Sequence, residues 1–518
     1  MTVFRSVNSG GRLPPTVPAT SVRADPPLSA TQAPASRARI ALPVSLVAFT
    51  VAALGSTGRE IWFDESVTWL TTTISWAELW RLLGNMDIAH ALYYVVMRLW
   101  TTTFGASTLA LRLPSLIGTA VAAGALALLG RKLYDTTVGV AAGLLFVAIP
   151  SVSRYGQEAR SYAWVVALAV LATLALTWTL DRPSWRRFLL YGGCLLALTY
   201  LHFVAAMVLA AHALMVCSTV RQGRGLRTLG TWMATVLLLA LAAAPLLYEA
   251  STQSGQVSWI TRDGPALARF PKELFGSATI AWSFVSAGLL GTVLLWRSRR
   301  ALILPLLVWA VAPPVFCYLS YPLVHLFLAR FVLFTLPAWS LLAAVAIAVP
   351  VSGLRRRIPP GRAVAILAAA LVAVAAVGVP GQAEARRSPV AGEADYRAAA
   401  ALIDRRYEAG DGIAYSGWRG WSAALPMAYQ LRTKPRDVFV AVPPGRSGWF
   451  WAIDCVDPAP CVGDIRRIWL VVGESRDPFD RLPPARAELL RHEFNAASTD
   501  RFPGVTVVLL VRGQTGHH

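Results

Sequence analysis

Uninterrupted apolar runs of about 20 residues recur between residues 40 and 380, and this feature constrains the fold most strongly. A helix of that length crosses the roughly 30 Å hydrocarbon core of a bilayer. Only 15% of the residues are charged, whereas soluble domains carry about 25%. An ordinary soluble fold is therefore excluded, and the sequence predicts an α-helical polytopic membrane protein.

The apolar runs predict 11 transmembrane helices. Two of them meet at Leu201–Phe203, where the alternation of basic loops indicates a turn. An odd number of spans puts the two ends of the chain on opposite sides of the membrane. The predicted spans are 40–58, 108–130, 136–152, 160–180, 187–202, 203–220, 227–248, 278–296, 301–320, 325–350 and 361–380.

Positive charge is concentrated on one side of the predicted membrane. The N-terminal tail and alternate loops hold 20 basic and 3 acidic residues, which give +17 of the net +20. Lys and Arg enrichment marks the cytoplasmic side of membrane proteins. We therefore predict a multi-pass plasma membrane protein with a cytoplasmic N-terminus, and no nucleic-acid partner is needed to explain the charge.

Composition divides the chain into three predicted parts. Residues 1–39, rich in Pro, Ser, Ala and Thr, are expected to form a disordered cytoplasmic tail. Residues 40–382 are expected to form the membrane domain. Residues 383–518 have the composition of a soluble domain, which the odd number of spans puts on the extracytoplasmic side.

The first outer loop, residues 59–107, is too long for a simple connection. Trp76, Leu79, Trp80 and Leu83 follow helical spacing, which predicts a helix in the membrane interface, and Ala91–Thr103 has a similar pattern. Membrane anchoring alone remains an alternative for both helices.

The soluble part is predicted to be a small α/β domain, because strand and helix patterns alternate along it. The predicted strands are Gly412–Ser416, Val438–Val442, Ile468–Val472 and Val505–Val511, and the predicted helices are Tyr396–Glu408, Ala423–Gln430 and Ala485–Phe494.

Cysteine positions agree with an outer location for this domain. Cys455 and Cys461 lie six residues apart and are predicted to form a disulfide, which persists only in an oxidising compartment. Cys194, Cys217 and Cys317 stand alone in predicted spans and are expected to be packing residues.

Ionisable side chains at span ends cluster on the predicted outer face. Such residues are costly near lipid and are functional hypotheses by default. The adjacent carboxylates Asp64 and Glu65 stand just beyond the first span. The other ionisable members of the cluster are Asp87, His90, Arg154, Glu158, Arg160, His202, Arg262, Lys272, His325 and Arg330. Gln157 and Tyr162 lie in the same segment as Arg154 and Arg160.

A carboxylate with several arginines suits sugar transfer from a phosphate-activated donor. The carboxylate takes the proton of an attacking hydroxyl, and arginines hold the departing phosphate through bidentate hydrogen bonds. A glycosidase would instead need two carboxylates across the scissile bond, one of them acting as an acid.

These residues resemble the GT-C polytopic glycosyltransferases, especially the family-39-like bacterial mannosyltransferases, which are relatives of the protein O-mannosyltransferases and the aminoarabinose transferases. The resemblance covers most of residues 59–340. It rests on Asp64-Glu65, Asp87-x-x-His90 followed by Ala-Leu-Tyr-Tyr, Arg112-Leu-Pro-Ser, Gln-Glu-Ala-Arg-Ser-Tyr (157–162), and Ala-Arg-Phe followed by Leu-Pro-Ala (329–338). Relatives have His-Pro-Pro after the second acidic residue, whereas Ala-Leu follows His90 here.

The resemblance implies inverting transfer of a sugar, most often mannose, from a polyprenyl-phosphate donor to an envelope glycolipid, polysaccharide or protein. Asp64 would be the general base. Glu65, with Asp87 and His90, would orient the acceptor or a divalent cation, Mg²⁺ or Mn²⁺. Arg160 and Arg330 would bind the donor phosphate, aided by Arg154, Gln157, Glu158 and Tyr162. His202, Arg262 and His325 are further members of the site.

Plainer roles remain open for several of these residues. Asp64 can cap an interfacial helix, and Glu65 can serve only as a partner to an arginine. Arg154 and Arg160 can bind lipid head groups, and His202 can be a packing residue.

Other functions also remain open. Arabinose or an amino sugar can replace mannose with the same mechanism. A lipid-linked sugar flippase predicts paired halves and charges near the bilayer midplane. A non-catalytic envelope scaffold predicts that Asp64 is dispensable.

Overall fold

The spanning segments of the membrane part are helices, because the bilayer interior offers backbone groups no water partners. The computed structural model describes residues 34–221, 225–354, 357–389, 393–416 and 423–513. In chain order the helices of this part are α1 (Pro34–Ala53), α2 (Phe63–Thr73), α3 (Trp76–Asn85), α4 (Ala91–Phe104), α5 (Thr108–Leu133), α6 (Thr136–Ala148), α7 (Pro150–Gly156), α8 (Tyr162–Asp181), α9 (Trp185–Leu201), α10 (Val208–Arg221), α11 (Leu226–Thr252), α12 (Ala266–Phe275), α13 (Ala278–Leu319), α14 (Leu336–Leu354) and α15 (Pro360–Ala385).

Seven helices of the described residues are long and apolar enough to cross a membrane, or eight if α6 and α7, bent by 70°, form one broken span. The predicted spans 278–296 and 301–320 are joined in α13, where Arg299 alone has a non-helical conformation (φ −139°, ψ 36°). A straight helix of 42 residues would be about 63 Å long, twice the hydrocarbon thickness. We interpret Arg299 as the break between two passes.

The N-terminal boundary of the membrane part differs from the prediction. The predicted disordered tail lies outside the described residues as far as residue 33. Helix α1 begins at Pro34 rather than at residue 40, so the end of the predicted tail is helical. Arg37 lies over the ring of Trp178, 5.2 Å from its centroid.

Helix α5 lies at the centre of the bundle and packs against α1, α6 and α8. Small residues allow the close approach of α5 and α6. A Cβ at Gly139 would stand 2.2 Å from the carbonyl oxygen of Ala127. Without a hydrophobic force between helices in lipid, such close contacts supply much of the association energy.

The C-terminal domain is built on a mixed five-stranded sheet with strand order β2-β1-β5-β7-β6. Strand β1 is parallel to β2 and β5, and β7 is antiparallel to β5 and β6. The elements are α16 (Tyr396–Arg406), β1 (Gly412–Tyr415), α17 (Ala424–Gln430), β2 (Arg436–Asp437), β3 (Val440–Val442), β4 (Ile453–Asp454), α18 (Pro458–Val462), β5 (Arg467–Gly473), α19 (Pro484–Glu493), β6 (Phe494–Phe502) and β7 (Val505–Arg512).

The predicted strand 438–442 and the predicted disulfide of this domain have different outcomes: the strand differs in its bounds and pairing, and the disulfide is present. The predicted strand 438–442 is shorter, and as β3 it pairs with β4 outside the main sheet. Strand β6 was not predicted. Cys455 and Cys461 form a disulfide.

The C-terminal domain packs on the segment between α1 and α5. Tyr429 of α17 meets the ring of Trp69 edge-on, with the ring centroids 5.6 Å apart, and its hydroxyl lies 3.0 Å from that of Thr108. Arg397 of α16 donates hydrogen bonds to the carbonyl oxygens of Gly58 and Arg59. The domain therefore covers the end of the helix bundle at which Asp64 lies.

Candidate active site

Asp64 lies in the first turn of α2, where the helix dipole favours a negative charge. Its Oδ2 atom is 3.6 Å from Nη2 of Arg330, and both side chains are 19% exposed. The Arg330 guanidinium lies over the rings of Trp62 and Trp259, 5.4 and 5.5 Å from their centroids. These two cation–π contacts help to hold the cation beside the carboxylate.

Glu65 is fully buried and faces away from Asp64 into the protein. Its two carboxylate oxygens accept bidentate hydrogen bonds from Arg112 of α5, at 2.7 Å from Nε and 2.6 Å from Nη2. The backbone amide of Ala159 donates a third bond, at 2.9 Å. Glu65 therefore forms a buried ion pair with Arg112 inside the protein.

Arg112 also fixes the segment that leads to Asp64. Its guanidinium donates to the carbonyl oxygens of Ser56, Arg59 and Glu60, the last two at 2.9 Å. One buried side chain therefore joins α5 to the turn before α2. Because α2 begins at the end of this turn, Arg112 sets the position of the Asp64 carboxylate.

Asp87 and His90 belong to a second hydrogen-bonded group. Asp87 has φ 60°, a left-handed conformation that is uncommon for a residue other than glycine. One of its carboxylate oxygens is 2.8 Å from Nδ1 of His90, and the other accepts a bond from the Tyr94 hydroxyl. Arg160 donates to the Tyr94 hydroxyl at 2.9 Å and lies 3.4 Å from Nε2 of His90.

This network orients the hydrogen bonds of the His90 ring. Because a guanidinium can only donate, the geometry favours a His90 ring that accepts at Nε2 and donates from Nδ1 to Asp87. Burial alone would raise the pKa of Asp87, but His90, Arg160 and Tyr94 together hold that pKa well below its ordinary value. Asp87 is therefore an anion that orients His90 and Tyr94.

Three buried N–H donors near Asp64 have no hydrogen-bond acceptor among the described residues: Nε of Arg160, Nε of Arg330 and Nε1 of Trp62. Leaving a buried donor unpaired costs about 1–3 kcal/mol. Such donors are expected where a ligand supplies the acceptors. Their grouping around Asp64 indicates a site for an oxygen-rich anion.

Gln157, Glu158 and Arg154 make contacts within the protein. Gln157 donates to the carbonyl oxygens of Ala52 and Leu54. Glu158 is buried and pairs with Arg59 at 3.0 Å and with Arg154 at 3.3 Å. These contacts fix the turn that carries Arg160.

Of the other predicted residues, Tyr162 and His202 line the region near His90. The His202 ring centroid lies 6.3 Å from that of His90 and 6.1 Å from that of Tyr162. Arg262 and His325 belong to a separate group around Tyr321. There Arg262 lies over the tyrosine ring at 4.9 Å, and His325 stacks on it at 4.7 Å.

Three residues of the site were not predicted from the sequence: Arg59, Trp62 and Trp259. Arg59 and Trp62 precede the acidic pair, in the segment Arg-Glu-Ile-Trp-Phe before Asp64. Their closeness to Asp64 in the sequence could have identified them. Nothing local marks Trp259, because it reaches Arg330 only through the fold.

Two of the residues predicted to orient the acceptor or a divalent cation, Glu65 and Asp87, are engaged in other contacts. Both oxygens of Glu65 and both oxygens of Asp87 already accept bonds from neighbouring side chains. Within the described part of the chain, no group of three or more His, Cys, Asp or Glu side chains has a suitable arrangement.

Comparison with known proteins connects this arrangement to a family and a fold. Residues 91–248 match the family described as dolichyl-phosphate-mannose-protein mannosyltransferase. This range contains Tyr94, Arg112 and Arg160. No curated protein matches the chain in sequence.

Solved structures match nearly the whole chain. ArnT from Cupriavidus metallidurans, in a crystal structure with undecaprenyl phosphate, has a TM-score of 0.56 and 13% identity, covering 92% of this chain and 98% of its own. The Archaeoglobus fulgidus oligosaccharyltransferase has a TM-score of 0.53 and 12% identity, covering 84% of this chain and 69% of its own. The same organism's AglB, in complex with an inhibitory peptide and a dolichol-phosphate, has a TM-score of 0.51 and 11% identity, covering 93% and 74%.

The structural matches establish the fold, and the match over residues 91–248 places a glycosyltransferase sequence within it. The predicted resemblance to the GT-C enzymes is confirmed. The chain is a polytopic membrane glycosyltransferase with the GT-C fold.

Proposed function

We propose that this enzyme transfers mannose from a polyprenyl-phosphate donor to a hydroxyl of an envelope glycolipid, polysaccharide or protein, with inversion at the anomeric carbon. The observation that carries the proposal is the Asp64 carboxylate 3.6 Å from Arg330, next to buried N–H donors of Arg160 and Arg330 with no acceptor among the described residues. The crystal structures of ArnT with undecaprenyl phosphate and of AglB with dolichol-phosphate support a lipid-phosphate donor in this fold.

In the proposed reaction, the acceptor oxygen attacks the anomeric carbon, and the bond from that carbon to the phosphate oxygen breaks. Asp64 takes the proton of the acceptor hydroxyl. The polyprenyl phosphate leaves as an anion and needs no proton. Arg160 and Arg330 hold its charge through hydrogen bonds to the phosphate oxygens. Every step uses the protein's own side chains.

Glu65, Arg112, Glu158 and Arg59 would then be positioning residues rather than catalytic ones. They form two buried ion pairs that hold the start of α2 and the turn before Arg160. Asp87 and His90 would orient Arg160 through Tyr94. A divalent cation at Glu65 or Asp87 would have to displace these contacts, so the place for such a cation in the transfer would be beside Asp64.

We place the site on the extracytoplasmic face of the plasma membrane. On α5, Arg112 meets Glu65 near one end, and Arg131 and Lys132 stand in the last turn. Those positions are about 29 Å apart along the helix axis, close to the hydrocarbon thickness. The positive-inside rule assigns the Arg131 end to the cytoplasm.

The test is transfer from radiolabelled polyprenyl-phosphate mannose in membranes that contain Asp64→Asn. Removing a general base typically costs a factor of 10²–10⁴, so we expect at least a roughly 100-fold loss of transfer. Asp135→Asn is the matched control. Asp135 caps α6 by accepting a bond from the amide of Val138, and asparagine caps helices as well as aspartate does.

Full transfer by Asp64→Asn at normal expression would refute the mechanism. A panel of donors that carry mannose, arabinofuranose or an amino sugar would identify the sugar, with the highest kcat/KM expected for mannose. A flippase would move the labelled donor between leaflets without forming a glycosidic product.

A further inference from the structure

A cavity of about 450 Å³ lies in the C-terminal domain, and the proposed transfer chemistry does not use it. Its lining includes Trp449, Trp451, Asp454, Pro483 and Arg486. The volume falls within the range of small-ligand pockets, about 300–1,000 Å³. Two of its walls have distinct chemistry, one aromatic and one ionic.

The aromatic wall consists of two stacked indole rings. The centroids of Trp449 and Trp451 are 4.9 Å apart, and the ring planes differ by 16°. The Ser447 hydroxyl accepts a bond from the Trp449 amide and donates to the Trp451 carbonyl, which fixes the backbone that carries both rings. A flat, partly exposed indole surface suits the C–H face of a sugar ring.

The ionic wall is the pair Arg486–Asp454, with Nη2 and Oδ2 2.7 Å apart. Arg486 is 7% exposed, and its guanidinium lies over the ring of Phe439, 4.7 Å from the centroid. A carboxylate beside a planar guanidinium offers acceptors and donors to neighbouring hydroxyl groups. Because the two charges balance, the pair favours a neutral polyhydroxyl ligand over an acidic one.

The segment that carries the two tryptophans also contacts the candidate active site. Phe450, which stands between the two tryptophans in the sequence, meets the ring of Tyr94 edge-on, with the ring centroids 6.5 Å apart. The Tyr94 hydroxyl contacts both Asp87 and Arg160. The Asn85 side chain donates to the Gly448 carbonyl at 3.0 Å, so the tryptophan segment rests on the outer loop that carries the active-site groups.

We propose that this cavity binds the glycan part of the acceptor, a neutral oligosaccharide, and holds it while one hydroxyl reaches Asp64. The proposal rests on the proposed function, because it names the acceptor class of the same reaction. A glycan bound against Trp449 and Trp451 lies beside the Phe450–Tyr94 contact, and this contact connects it to the transfer centre.

The experiment measures binding apart from catalysis. The probe is a pool of neutral oligosaccharides released from the envelope of the producing cells by mild acid and labelled with a fluorophore. It is titrated against the purified full-length protein and against Asp64→Asn. We expect equal binding by both, and about tenfold weaker binding by Trp449→Ala and Trp451→Ala, since each removes one aromatic contact.

Matched variants separate loss of the site from loss of folding. Trp451→Phe keeps an aromatic ring and should retain most of the binding, whereas Asp454→Asn should weaken it. Trp185→Ala removes an exposed tryptophan at the far end of α9 and should change nothing. In transfer assays the Trp449→Ala variant should raise KM for the oligosaccharide about tenfold with kcat unchanged.

The outcomes distinguish the two proposals. Binding that is lost only in the cavity variants supports this inference even if transfer from the mannose donor fails. The inference is overturned if the wild-type protein does not bind the pool, if Trp449→Ala binds as the wild type does, or if envelope peptides displace the label.

Discussion

Glu65→Gln should destabilise the protein, although this residue adjoins the proposed catalytic base. The change removes one charge of the buried pair with Arg112, whose two side chains are fully inaccessible to solvent. Breaking a buried ion pair by removing one partner costs about 3–5 kcal/mol, because the remaining charge stays buried without compensation. Total stabilities of proteins are only about 5–15 kcal/mol, so a large part of the stability should disappear.

The assay is equilibrium unfolding in mixed micelles with increasing SDS, compared among variants. We expect Glu65→Gln to raise the unfolded-to-folded ratio by roughly two to four powers of ten. Glu78→Gln is the control, because Glu78 lies in the exposed capping box of α3, where glutamine serves equally well. Asp64→Asn should unfold like the wild type.

A double variant tests the pairing itself. Arg112→Gln should cost more than Glu65→Gln, because it also leaves the backbone carbonyls of Ser56 and Glu60 without donors. The two changes together should cost less than their sum, as expected for partners in one interaction. If Glu65→Gln is as stable as the wild type and loses only transfer, Glu65 acts on the substrate and the structural assignment is wrong.

Other predictions concern the donor, pH and packing. Arg330→Lys should lower kcat/KM for the lipid-phosphate donor roughly 10- to 150-fold, because a lysine cannot form the bidentate contact; unchanged donor kinetics would contradict this. Burial and the charge of Asp395 raise the pKa of Glu60 to about 7, so the folded state holds a proton that the unfolded state releases above about pH 4.5. Stability should therefore fall as the pH rises from about 4.5 to 7 and then level off, and Glu60→Gln should flatten this part of a melting-temperature profile. Gly139→Ala should cost about 1–3 kcal/mol in the same SDS assay, because its Cβ would overlap the carbonyl oxygen of Ala127; wild-type stability would contradict the close α5–α6 contact.

The membrane fold was predictable because it depends on patterns within single segments. Apolar length, alternate basic loops and the turn at His202 are visible locally, and α9 ends at Leu201 as the basic loops indicated. The predicted boundary between the spans 278–296 and 301–320 falls at the kink of α13, where Arg299 has a non-helical conformation.

The division of roles between Asp64 and Glu65 follows from helix geometry. Consecutive residues of an α-helix point about 100° apart, so two adjacent carboxylates in α2 do not face the same site. The sequence indicates that one side chain turns inward. It does not reveal that the partner is Arg112, which lies 47 residues away, because this pairing depends on how α2 and α5 pack.

Strand β6 and the tryptophan cavity could not be predicted for a related reason. The β6 sequence Phe-Asn-Ala-Ala-Ser-Thr-Asp-Arg-Phe has little strand propensity, and its pairing with β7 overrides that preference. Trp449 and Trp451 look like ordinary aromatics until the fold brings Arg486 of α19 beside Asp454.

During synthesis, residues 56–65 enter the membrane before the groups that hold them have been made. Arg112 arrives with α5, the amide of Ala159 arrives with the turn before α8, and Arg397, whose amide bonds Glu60, arrives only with the C-terminal domain. A nascent chain can therefore insert its helices before the segment that carries the proposed catalytic carboxylate is fixed in position. Activity should be acquired only when translation has passed α16, which would protect the lipid-linked donor from incomplete enzymes.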